Sequence, residues 1–151
     1  GVNNKLMQAA RKQHSNGINI SDAIITSSFN NNNNEKFKFV IHACCPWKTQ
    51  EQDDDNVKKL LRTTYKNVFD IAMKTKNIES IAIPALGCGV NLIDPTISAL
   101  EALNAMKDII ENNENNIDGR KETFLNVEFW LLDYLAYNQF NEIVSPNVCL
   151  K

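Results

Sequence analysis

No stretch of this chain approaches the roughly 18 consecutive apolar residues of a membrane span, and its start shows no cleavable signal. Basic residues form no run either. The 16 Lys and Arg are outnumbered by 18 Asp and Glu, for a formal net charge of −2. A nucleic-acid binder normally carries a basic face, so nucleic acid is not expected as a partner, and neither is a membrane. The four cysteines (Cys44, Cys45, Cys88 and Cys149) have no metal-ligand spacing, and two are adjacent. They read as reduced thiols of an intracellular protein, cytoplasmic or nuclear, and not as a disulfide frame. No metal and no cofactor is called for.

What is present is ordinary for a globular domain. Of 151 residues, 43% are hydrophobic and 23% charged, enough for one domain, residues 1–151, with a real core. Asparagine is abundant, in a run over residues 30–34 and a cluster over 112–116. Both lie between patterned segments and read as loop insertions without function.

The chain turns on residues 80–95, Ser-Ile-Ala-Ile-Pro-Ala-Leu-Gly-Cys-Gly-Val-Asn-Leu-Ile-Asp-Pro. Its opening suits a short buried strand over 81–85. Gly87-Cys88-Gly89 follows, and glycine permits positive φ and close approach of backbone to a ligand. Asp94-Pro95 then predicts a helix start, with Asp as N-cap and Pro at the first helical position. A strand, a glycine turn and a helix in succession can aim backbone N–H groups at a phosphate or diphosphate. On these residues alone, a purely structural turn fits as well. The spacing is neither that of a P-loop nor that of a dinucleotide fingerprint.

Around this stretch the pattern predicts a helix from Asn3 to about His14, strands over 23–29 and 37–45, and a long helix over 55–75. Val57, Leu60, Leu61, Tyr65, Val68, Phe69 and Ala72 form its apolar stripe. A helix over 95–111, packing through Ile97, Leu100, Leu103, Met106 and Ile110, precedes a strand over 124–132 and a closing helix over 134–144. Alternating strands and helices predict an α/β protein, three-layered α/β/α with a mixed, largely parallel central sheet in which 81–85 is an inner strand. Ligands of such sheets sit beyond the carboxyl ends of the strands, where the glycine turn, Cys45-Pro46 and Leu132-Asp133 should meet. His42, mid-strand, reads as a structural histidine and His14 as a helix-end contact. Trp47 and Trp130 read as packing residues. Asp53-Asp54-Asp55 reads as a solvated helix start.

Three segments together resemble the macro domain, an ADP-ribose-binding α/β module. Val40-Ile41-His42-Ala43-Cys44-Cys45-Pro46 is similar to its strand pattern Val-Ile-His-x-Val-Gly-Pro. Leu61-Arg62-Thr63-Thr64-Tyr65-Lys66-Asn67 is similar to the helix Leu-Arg-x-x-Tyr-x-Asn. Residues 80–90 are similar to Ser-Ile-Ala-Phe-Pro-Ala-Ile-x-x-Gly-Val, the family's second phosphate loop. Order and spacing agree, and Ser21-Asp22-Ala23 with Thr26 resembles Gly-Asp-Ala-x-x-Thr.

The resemblance implies a site for ADP-ribose or a mono-ADP-ribosylated protein, with ligand contacts from Pro84, Ala85, Leu86, Gly87, Cys88, Gly89, Val90 and Asn91. It places Gly1 and Val2 at the end of the first glycine loop, so the family's preceding strands are expected to be missing. Asn3 stands where hydrolytic members commonly carry Asp, and Asn cannot serve as a carboxylate base. Weak or absent mono-ADP-ribosyl hydrolase activity is the expectation, with no firm catalytic residue. Asn91 takes the place of the loop aromatic at the terminal ribose. Leu132, beside Asp133, takes that of the aromatic at adenine. A macro fold serving only as an interaction domain is the further alternative.

Overall fold

The computed structural model describes residues 2–13, 15–28, 37–49, 53–114 and 125–147. The elements run α1 (Val2–Gln13), β1 (Ala23–Ser27), β2 (Phe39–Ala43), α2 (Asp54–Lys74), β3 (Ser80–Ile83), α3 (Pro95–Glu114), β4 (Asn126–Phe129) and α4 (Tyr134–Ile143), then a 3₁₀ turn, Ser145–Asn147. Every expected helix and strand is present, so the protein is α/β. His14, Phe29 and the Asn30 run lie outside the described residues.

Strand pairing is mixed. β1 and β2 are antiparallel, with Ile24 opposite His42 and Ile25 opposite Ile41. β3 and β4 are parallel, with Ile81 beside Val127 and Ile83 beside Phe129. Among the described residues these are two two-stranded sheets, and β3 pairs with β4 alone. The inner position expected for β3 is therefore not seen. No described strand lies between β2 and β3, whose carboxyl ends are instead joined through their loops.

α2 begins because Asp53 caps it, accepting a hydrogen bond from the Asp55 N–H. Its stripe is buried except at Leu60, which is half-buried, with Val57, Leu61, Tyr65, Phe69 and Ala72 at or near zero exposure. α3 departs from the expected pattern. Ser98, Ala99, Ala102, Leu103 and Ala105 form its buried face, while Leu100 and Ile110 are exposed. Small residues let this helix lie close against both α2 and α4, and close packing outweighs side-chain size here. α3 also continues through Asn112 and Asn113 to Glu114, where a loop was expected. Asn costs a helix only about 0.7 kcal/mol per residue, which tertiary packing readily offsets. Arg62 and Lys66 of α2 both pair with Asp108 of α3. The guanidinium beside Asp108 holds its carboxyl below the usual range. No helix among the described residues is long and apolar enough to cross a membrane.

Candidate functional site

The glycine turn is built on one conformational requirement. Gly87 has φ +80°, and a Cβ placed there would lie 2.6 Å from Ile93 Cδ1. Ile93 is buried and donates its N–H to the Gly87 carbonyl at 3.0 Å. A residue with a side chain therefore fits poorly at Gly87. Gly89 differs: its φ is not positive and no atom lies within 4 Å of its would-be Cβ. The chain closes through Cys88 N–H to Ala85 O and Leu92 N–H to Gly89 O. Leu92 takes φ +59°, a local strain for a branched side chain.

A closed ring of hydrogen bonds fixes the root of the turn. The Leu86 N–H donates to Tyr65 Oη at 2.9 Å, and Ser98 Oγ donates to the Leu86 carbonyl at 2.8 Å. With its only proton spent there, Ser98 accepts from Tyr65 Oη at 2.7 Å. Both polar groups of Leu86 are thus used internally. Burial pushes the Tyr65 hydroxyl well above its ordinary range. Sequence reasoning missed this ring; its signal was a tyrosine on the buried stripe of α2, whose hydroxyl needs a partner.

Asn91 ties the turn to the loop after β2. Its Nδ2 donates to the carbonyls of Cys45 at 3.1 Å and Pro46 at 2.9 Å. Its own carbonyl accepts from Lys48 N–H at 3.0 Å. The Lys48 ammonium pairs with Asp54 at 3.2 Å and also lies near enough to Asp94 to help keep that carboxyl ionised. Among the described residues, the N–H groups of Gly89, Val90 and Asn91 have no hydrogen-bond partner. Val90 and Leu92 project into solvent.

The helix caps converge on the same edge. Asp94 accepts from Thr96 N–H at 2.8 Å, and those bonds to Thr96 hold its pKa down. Asp133 accepts from Ala136 N–H at 2.8 Å and caps α4. Both carboxylates lie near Cys88, whose pKa is raised first by burial and then by these charges. A thiolate there is disfavoured. Burial likewise pushes the Cys45 thiol up to about 11, although the Gly87 N–H points toward its sulfur.

The expected site residues are thus partly gathered. Residues 84–91 form one turn, joined to Cys45 and Pro46, and Asp133 stands near Cys88. Pro84 is exposed and closes β3. Leu132 is wholly exposed and Asp133 is committed as a cap. Gly1 lies outside the described residues. Val2 and Asn3 open α1, their side chains also outside them. His42 bonds Thr26 Oγ1 through Nε2 at 2.9 Å, which fits a structural role. Trp47, expected in the packing, is 56% exposed. A separate shallow cleft of about 270 Å³, lined by Asp22, Ala23, Asn67, Asp70, Ile71 and Lys74, shares no residue with the turn. Among the described residues no cluster of His, Cys, Asp and Glu is placed to hold a metal.

The Macro domain family model matches residues 2–102; the chain belongs to the macro domain family. Solved structures similar to it in three dimensions include the macrodomain of Oceanobacillus iheyensis. A glycine-to-valine variant of that protein with ADPR matches with a TM-score of 0.71 and 24% identity, covering 94% of this chain and 69% of that one. The same macrodomain with ADP gives 0.71 and 23%, over 94% of this chain and 67% of that one. Its form with MES bound gives 0.71 and 24%, over 94% and 68%. At such identities the likeness establishes a shared fold. No curated protein matches the chain.

Proposed function

We propose that this protein is a binding module for ADP-ribose, free or carried on a mono-ADP-ribosylated protein. The observation that carries the reading is the row of N–H groups at Gly89, Val90 and Asn91, which lack partners among the described residues. They follow a turn whose geometry is fixed by Gly87 and by the ring through Leu86. A diphosphate accepts such bonds at little cost in reorganisation, because the donors are already held in place. Family membership and the ADPR- and ADP-bound neighbours support the same ligand class. Pro84, Ala85, Leu86 and Cys88 act as the rigid support of the turn. Leu132 is free to lie against the adenine.

Hydrolysis is the second reading, and Asn3 weakens it, since an amide cannot serve as a carboxylate base. Weak or absent removal of mono-ADP-ribose is expected. The unpaired Cys44, Cys45 and Cys88 suit an intracellular setting. The deciding experiment is calorimetric titration with ADP-ribose of the parent protein and of Gly89→Val. The parent should bind and the variant should not, at nearly unchanged melting temperature. No heat of binding to the parent overturns the reading. Equal affinity of the two means that the turn is structural only.

A further inference from the structure

Asn91 grips the main chain on both sides of one residue. It donates to the Pro46 carbonyl and accepts from the Lys48 N–H, so the backbone of Trp47 is stapled against the glycine turn. The Lys48–Asp54 ion pair anchors the loop to the start of α2 as well. A loop held this firmly could have buried its largest apolar side chain. Instead the indole is 56% exposed, and among the described residues it has no aromatic partner and no acceptor for its N–H. Trp130 provides the contrast: its ring meets Phe37 edge-on at 5.6 Å, and its N–H is bonded to Glu128.

An exposed indole on a rigid loop, one residue from the clamp that carries the free N–H groups, has the properties of a stacking platform. Its face is large, it is flat, and its position costs little further ordering when a ring lies on it. We infer that Trp47 is a binding residue of the site, its indole packing against one of the rings of the ligand whose diphosphate the turn holds. Asn91 acts through it as a positioning residue. The inference rests on the ADP-ribose reading above. Two rings of that ligand, adenine and the terminal ribose, present a face of the required kind.

The chain has two tryptophans, so Trp130→Phe leaves Trp47 as the sole emitter. ADP-ribose should change the emission of that variant, with a midpoint matching the calorimetric affinity, and leave the emission of Trp47→Phe unmoved. Trp47→Ala should weaken ADP-ribose binding roughly tenfold or more, in line with the loss of one stacked ring. Trp47→Phe should retain part of the affinity. ADP separates the two rings: an equal response to ADP assigns adenine to Trp47, and a response to ADP-ribose alone assigns the terminal ribose. If Trp47→Ala does not fold by circular dichroism, the emission of Trp130→Phe decides. Binding by the parent with an unmoved Trp47 emission, or with Trp47→Ala affinity within about twofold of the parent, overturns the inference and leaves the ADP-ribose reading intact. Absence of binding to the parent overturns both.

Discussion

Asn91 and Pro46 hold together the loops that follow β3 and β2, the Asn91 Nδ2 donating to the Pro46 carbonyl at 2.9 Å. The same nitrogen serves the Cys45 carbonyl. No backbone ladder joins these two strands among the described residues, so the connection at this edge runs through Asn91, by its side-chain amide and by its backbone carbonyl, which accepts from the Lys48 N–H. Asn91→Ala should therefore cost about 1–3 kcal/mol of stability, as the carbonyls of buried Pro46 and half-buried Cys45 lose a donor, and should weaken ADP-ribose binding as well. Urea denaturation and titration calorimetry measure the two effects. A variant as stable as the parent would mean that water replaces the amide.

Gly87 and Gly89 are predicted to respond in opposite ways. At Gly87 a side chain meets both the positive φ and Ile93, so Gly87→Ala should destabilise by about 1–3 kcal/mol. Gly89→Ala should change stability by less than about 0.5 kcal/mol in either direction, since nothing crowds the position. Thermal melting of both variants distinguishes the two glycines, and only the second is then suited to testing the ligand contact.

These two glycines also show where the sequence ran out. In Gly-Cys-Gly either end can supply the left-handed residue, and the choice is made by Ile93, six positions on, whose buried side chain fills the space beside Gly87. Element positions were readable, because α2 buries the stripe its spacing prescribes. The face of α3 was not, since alanines and Ser98 set it through a close approach that no periodicity reveals. The segments that carried the family resemblance prove to bond to one another. Asn67 Nδ2 donates to the Ser21 carbonyl, Ser21 N–H to the Cys44 carbonyl, and Leu86 N–H to Tyr65. Much of what identifies this family in sequence is thus the scaffold that aims the turn. Asn91 and Leu132, which the proposed function sets against the ligand, differ from the family pattern, so the motif alone assigns them no role.

Cys45 makes stability depend on alkaline pH. Its thiol titrates at about 11 in the folded protein against an ordinary value of 9.0, chiefly because burial opposes the charge. Between those values the unfolded chain has released a proton that the folded chain still holds, so stability falls as pH rises from about 9 through 11. Tyr65, also raised by burial, acts with the same sign at higher pH. Cys45→Ala should flatten the decline without abolishing it, as read from urea midpoints across this range. At neutral pH, Cys45 should carry roughly 100-fold less thiolate than an ordinary cysteine and should be alkylated correspondingly slowly in the native protein.

The ring through Leu86, Tyr65 and Ser98 yields the last prediction. Each member donates once and accepts once within it, and Tyr65 and Ser98 are fully buried. Tyr65→Phe removes the acceptor for the Leu86 N–H and the donor to Ser98, and water has little access to replace either. The expected loss is about 1–3 kcal/mol. Ser98→Ala should cost a similar amount, because the Leu86 carbonyl and the Tyr65 hydroxyl both lose a partner. The two losses should not add. Once one member is gone the ring is open, so the double variant should fall short of the sum by about 1 kcal/mol. Denaturant titration of the four proteins gives this coupling directly. Because Leu86 stands at the root of the turn, Tyr65→Phe should also reduce ADP-ribose affinity while touching no ligand atom. Full additivity, with unchanged binding, would show that the turn holds its shape without the ring.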